Sequence, residues 1–111
     1  MKTGDCFKGL TKTIVSVTRV DCRSPHEEEV TGKFNLSGGR YPGDKAIDKA
    51  SDARCKKYFT RYVGIYWSVY SHAWARPDSD GWWNGDRTVI CAAYDPNHPK
   101  NNRISLRKVK Q

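Results

Sequence analysis

The sequence predicts an α+β domain: a largely antiparallel sheet, one main helix at about residues 45–63, and two disulfides. Three observations predict it. Strand-like runs flank one long stretch of helical periodicity, so strands precede and follow a helix instead of alternating with several. Four cysteines stand far apart, with no CxxC pair among them. The 111 residues suffice for one core, so 1–111 is expected to form a single domain.

The first strand is read from Ile14–Val20, a β-branched run with partial alternation that ends at Asp21-Cys22. Ser24-Pro25 marks a turn. Glu29–Leu36 reads as a second strand, with Val30, Phe34 and Leu36 apolar on one face and Gly32 between them. Residues 37–43 form a loop by composition, and Asp44 is expected to cap the helix, because its carboxylate can accept from the unsatisfied amides of the first turn. Along that helix Ile47, Ala50, Cys55, Tyr58, Phe59 and Tyr62 share one side. Lys45, Asp48, Lys49, Asp52, Lys56 and Lys57 fall mostly on the other, and Gly64 is the C-cap. Ile65–Tyr70 alternates as a strand does, and Arg76–Gly81 is a turn region. Arg87–Tyr94 is a strand broken by the Asp95–Pro99 segment, and Arg103–Val109 reads as a short edge strand whose charges discourage sheet-to-sheet aggregation.

Hydrophobic residues make up only 37%, while four Trp, six Tyr and three Phe point to an aromatic core. Covalent constraints add usefully to so thin a margin. Cys6, Cys22, Cys55 and Cys91 fit neither a redox pair nor a zinc knuckle, so disulfides are the better reading. Three pairings are possible. Cys6 with Cys22 and Cys55 with Cys91 is favoured, since each then staples neighbouring elements, and a helical Cys55 facing the core can reach a strand cysteine such as Cys91. Disulfides persist in oxidising compartments, which places the domain outside the cytoplasm. No apolar run approaches the roughly 20 residues that span a bilayer. Met1–Cys6 lacks a signal-peptide core, so an export signal or anchor is expected outside this sequence, and membrane association only through that anchor.

The formal charge of +8 favours anionic surroundings such as phosphate polymers, acidic lipid head groups or nucleic acid. Lys100, Arg103, Arg107, Lys108 and Lys110 concentrate it near the C-terminus, where a basic tail also simply keeps a protein soluble. His26 beside Glu27, Glu28 and Glu29 is the most chemistry-like cluster, able in principle to bind a metal or move protons. The competing reading is a histidine bonded locally. Two ligands are too few for zinc, and His72 and His98 lie in other segments, so no metal is expected. No zinc-protease, nucleophile-elbow, P-loop or dinucleotide motif occurs, and neither a catalytic set nor a cofactor is expected. Trp67, Trp74, Trp82 and Trp83 with Tyr66 and Tyr70 can form a stacking surface beside Arg76 and Arg87, although aromatics more often pack cores. The candidate binding residues are therefore His26, Glu29, Trp74, Trp82, Trp83 and Arg87. Asp86 is expected to bond turn amides, and Arg87 to pair with a carboxylate or stack on a ring.

Several short blocks occur in order: Gly4-Asp5-Cys6-Phe7; Val20-Asp21-Cys22 followed by Pro25-His26-Glu27-Glu28-Glu29-Val30; Tyr41-Pro42-Gly43 before the Cys55 helix; and Trp83-Asn84-Gly85-Asp86-Arg87-Thr88-Val89-Ile90-Cys91. The set spans about Gly4 to Leu106 and resembles the septum formation family of actinobacterial envelope proteins. That resemblance implies an extracytoplasmic domain linked to septum formation in cell division, with these four cysteines and no known catalytic residues. The first functional reading is a non-enzymatic envelope module that binds an envelope protein or an anionic polymer. A polyanion or nucleic-acid binder ranks second, and a hydrolase using His26 and Glu29 third.

Overall fold

The structure, a computed structural model, describes residues 2–9, 18–64, 69–97 and 106. Within them β1 (Cys6–Lys8), β2 (Thr18–Val20), β3 (Glu28–Asn35), β4 (Ser71–Ala75) and β5 (Thr88–Tyr94) form one antiparallel sheet in the order β2-β1-β3-β5-β4. Helix α1 (Asp44–Val63) lies against β3, β5 and β4, and a short α2 (Ser79–Trp83) precedes β5. This is the α+β arrangement expected, with one main helix.

Register explains which side chains meet α1. Glu29, Gly32 and Phe34 pair with Ala93, Cys91 and Val89, while Trp74 and His72 of β4 pair with Cys91 and Ala93, so all of these share the face under the helix. Strict alternation from Glu29 would have turned Gly32 and Phe34 to the other face. A β-bulge between Val30 and Gly32 absorbs Thr31 and shifts the parity. The expectation that Val30 shares a face with Phe34 is therefore corrected. Val30 joins Phe7, Ile90 and Ala92 in a cluster on the opposite face.

The helix side of the core divides in two. Cys55, Val89 and Cys91 pack with Phe34, Leu36, Tyr58 and Trp74, and Phe59, Tyr62 and Val63 pack with Ala93 and Leu106. Both disulfides pair as expected: Cys6 to Cys22, tying β1 to the turn after β2, and Cys55 to Cys91, tying α1 to β5. No cysteine is free.

Several boundaries differ from expectation. Asp44 is the first helical residue and not the cap, which is Gly43 at φ 101°, a conformation open to glycine. The Asp44 carboxylate instead accepts from Tyr41 Oη–H and from Arg76, both outside the helix. Gly64 does close α1, donating its N–H to Thr60 O. Of the strand expected at 65–70, residues 65–68 lie outside the described set, Val69 and Tyr70 form a turn, and the strand runs from Ser71. The 76–81 turn leads into α2, capped by Asp78 Oδ1 accepting from Gly81 N at 2.7 Å. Residues 14–17 and 103–109 also lie outside the described residues, Leu106 excepted. The three-residue β1 was not anticipated, being too short to show a period.

Gly32 is where α1 comes closest to the sheet. A Cβ there would stand 2.8 Å from Tyr58 Cγ and about as near to both Cδ atoms of that ring. Gly32→Ala is expected to lower unfolding free energy by about 1–3 kcal/mol in chemical denaturation. Parent-like stability would mean that the Tyr58 ring moves aside without cost.

Candidate functional site

Among the described residues, three clusters of polar side chains hold most of the residues singled out from sequence. The first is buried at the junction of β1, β3 and α1. Glu29 is 0% exposed, and its carboxylate accepts from Tyr62 Oη–H at 2.8 Å on Oε1 and from Leu106 N–H at 2.6 Å on Oε2. His26, equally buried, places Nε2 3.7 Å from Glu29 Oε2 and bonds through Nδ1 to Ser24 O at 2.9 Å. A carbonyl can only accept, so Nδ1 carries the proton of the neutral ring. The local bond expected of His26 is present. Beside the pair lies the Cys6–Cys22 bridge, whose sulfurs and a Glu29 oxygen fall within 4.8 Å of one another.

The second cluster joins the N-terminal half of α1 to β4. Arg76, buried to 6% exposure, grips Asp48 with two parallel bonds, Nε to Oδ1 at 3.0 Å and Nη2 to Oδ2 at 3.2 Å. Trp74 Nε1–H donates to Asp48 Oδ1 at 3.0 Å. Asp48 thus satisfies a buried guanidinium and a half-buried indole at once, and its two bonds to Arg76 have the bidentate geometry that makes arginine–carboxylate pairs strong. Two residues back from Trp74 along β4, His72 Nε2 lies 3.3 Å from Asp52, and burial lowers the pKa of His72 against the pull of that carboxylate. His72 also borders a cleft of 370 Å³ with Phe59, Tyr70 and Tyr94.

The third cluster is the corner between α2 and β5. Trp82, 1% exposed, takes the Arg87 guanidinium 3.7 Å above its ring centroid and the Tyr41 ring edge-on at 5.9 Å. Arg87 also donates to Trp82 O, and Asp86 Oδ1 accepts from Thr88 N at 2.9 Å. Asp86 and Arg87 therefore do the structural work expected of them. Among the described tryptophans, Trp83 is the one that points outward, at 63% exposure.

The residues singled out from sequence are thus not brought into one site. His26 and Glu29 are buried together, Trp74 belongs to the Asp48 cluster, Trp82 and Arg87 stack on each other, and Trp83 stands apart. Trp67, Tyr66 and His98, with the C-terminal cations, lie outside the described residues.

Sequence reasoning missed a fourth feature. Arg54, Lys57, Tyr58 and Arg61 line a groove of 400 Å³ along the outer face of α1, and the three cations are exposed. Arg54 lies 4.9 Å over the Phe34 ring, and Tyr58, half-buried against Phe34, floors the groove. The spacing i, i+3, i+4, i+7 is the signal that finds it: those positions form one stripe of a helix. No acidic residue follows Asp52 in α1, and cations near a helix C-terminus are favoured by its dipole.

These features define an α+β domain stapled by two disulfides, with buried polar clusters and one basic stripe. The chain belongs to the septum formation family, whose family model matches residues 1–109. No curated protein and no solved structure matches the chain. Membership connects the protein with cell division or the envelope, and the disulfides are consistent with a place outside the cytoplasm.

Glu28, opposite Phe7 in the β1–β3 register, yields a pH prediction. Burial first, and Glu27 second, push its pKa from 4.5 up to about 7. In that window the folded chain holds a proton that the unfolded chain releases, so stability falls as pH rises through it. Unfolding free energies of Glu28→Gln and the parent should diverge in favour of the variant across that window, then run parallel above it. A difference constant with pH would contradict the assignment.

Proposed function

We propose that this chain is a non-enzymatic module that works outside the cytoplasm, in a role connected with septum formation, and docks an anionic envelope polymer on the basic stripe of α1. The observation that carries this reading is the stripe itself. Arg54, Lys57 and Arg61 line one groove, with no acidic side chain among its lining residues. Cations on a rigid helix face meet repeated negative charges at fixed spacing, and Tyr58 adds a ring against which an apolar part of the repeat can rest. Family membership supports the cellular context, and two bridged cysteine pairs support the compartment. The buried His26–Glu29 pair is engaged in internal bonds, which favours binding over hydrolysis.

The test uses linear polyphosphate as the probe, with duplex DNA alongside. Arg54→Glu/Lys57→Glu/Arg61→Glu should weaken polyphosphate binding at least about tenfold, whereas Lys45→Glu/Lys49→Glu, in the first half of the same helix, should have a much smaller effect. Affinity should also fall steeply as salt rises. Equal losses in both variants would contradict a stripe-centred site. DNA binding as tight as polyphosphate binding would favour the general polyanion reading.

A further inference from the structure

The groups around the Cys6–Cys22 bridge form a set of sulfur, carboxylate and imidazole that the basic stripe does not use. Register places Cys6 directly opposite Glu29 on the β1–β3 ladder, and the bridge brings Cys22 beside them. A Glu29 oxygen and both sulfurs lie within 4.8 Å of one another, and His26 Nε2 stands 3.7 Å from Glu29 Oε2. Cys6 is 1% exposed, and His26 and Glu29 are 0% exposed. Each non-sulfur donor is held in place from behind. Tyr62 and Leu106 orient the carboxylate, one bond to each oxygen, and the Nδ1–H to Ser24 O bond makes Nε2 the basic nitrogen of the ring. Outer bonds of this kind orient the ligands of metal centres.

We propose that reduction of the Cys6–Cys22 bridge opens a zinc site formed by Cys6, Cys22 and Glu29, with His26, beside Glu29, turning in as the fourth ligand. While the bridge is closed the two sulfurs are bonded to each other and offer no thiolate, so the expectation that His26 and Glu29 hold no metal applies to the oxidised chain. Once it opens, two sulfurs lie beside the buried Glu29 carboxylate, whose Oε2 has the His26 imidazole 3.7 Å away. Two thiolates beside Glu29 would crowd negative charge where water is scarce, and either protons or a divalent cation must neutralise it. Zinc suits two sulfurs, one nitrogen and one oxygen in four-coordinate geometry.

The reductant is a dithiol of the thioredoxin class. Its two thiols close to a disulfide and pass two electrons and two protons to Cys6 and Cys22, and zinc then displaces both thiol protons to solvent. Cys22 is half-buried and within reach of such an attack, whereas Cys55 and Cys91 are each 0% exposed. Reduction should therefore reach the first bridge before the second.

The experiment treats the full chain with a limiting dithiol, removes the reagent, and titrates zinc against a chromogenic chelator. Cysteine alkylation is mapped by mass spectrometry in parallel. One zinc per reduced chain is expected, with Cys6 and Cys22 shielded from alkylation by zinc and exposed again by chelator. The oxidised chain should retain none. His26→Ala and Glu29→Gln should each weaken binding about 10- to 100-fold. Labelling of Cys6 and Cys22 that is equal with and without zinc overturns the proposal, and this reading needs no variant to fold. Zinc that protects Cys55 and Cys91 instead, or an affinity unchanged in both variants, overturns it as well.

Discussion

The Cys55–Cys91 bridge is the constraint on which the rest of the structure depends. It joins the middle of α1 to the middle of β5, across 36 residues of chain, at a point where both cysteines are fully buried. Closing a loop of that length stabilises the fold by about 4 kcal/mol on the chain-entropy account, a large share of the margin of a domain this size. Its geometric consequence is greater. With Cys55 fixed inward, Ile47, Ser51, Phe59, Tyr62 and Val63 must also face the sheet, three or four residues apart. Arg54, Lys57 and Arg61 are then turned to solvent.

Polar anchors at both ends of the helix complete what the bridge begins. Near the N-terminus, Asp48 collects Trp74 from β4 and Arg76 just after it. Near the C-terminus, Tyr62 reaches Glu29 on β3. Burying a carboxylate is costly unless its bonds are satisfied, so each anchor specifies one position of α1 and disfavours a slid or rotated helix. The Thr31 bulge makes the second anchor possible, because without it Glu29 and Phe34 could not both face the helix. The β1–β3 register brings Glu29 beside the Cys6–Cys22 bridge. The fold thus places its most buried ionisable groups against its more accessible disulfide.

Much of the fold was legible because it rests on local signals. The helix announced itself by its periodicity and by Gly64, the strands ending at Asn35 and Tyr94 by β-branched residues, and the cysteine pairing by proximity along the chain. The bulge was not legible: Val30, Gly32, Phe34 and Leu36 alternate cleanly in sequence, and only pairing with β5 exposes the extra residue. The cap at Asp44 was misread because a carboxylate before a helix has several partners to choose from, and here Tyr41 and Arg76 took it. Of the site, Arg87 on Trp82 and the local bond of His26 could be anticipated. The Asp48 cluster could not, since Trp74 and Arg76 lie more than twenty residues from their partner. The basic stripe is visible at helical spacing, but a total charge and a cationic tail do not tell which helix face carries a groove.

Orientation of α1 therefore links fold to function: one bridge decides which side of the helix builds the core and which presents charge. Amide hydrogen exchange along α1 tests this most directly, comparing the oxidised parent with Cys55→Ala/Cys91→Ala. The account predicts that amides from Ala53 to Phe59 exchange in the parent only through global unfolding, and that loss of the bridge lowers protection along the whole helix together. Protection of α1 that survives removal of the bridge would contradict it, leaving the aromatic core and the Asp48 and Glu29 anchors sufficient to hold the helix in place.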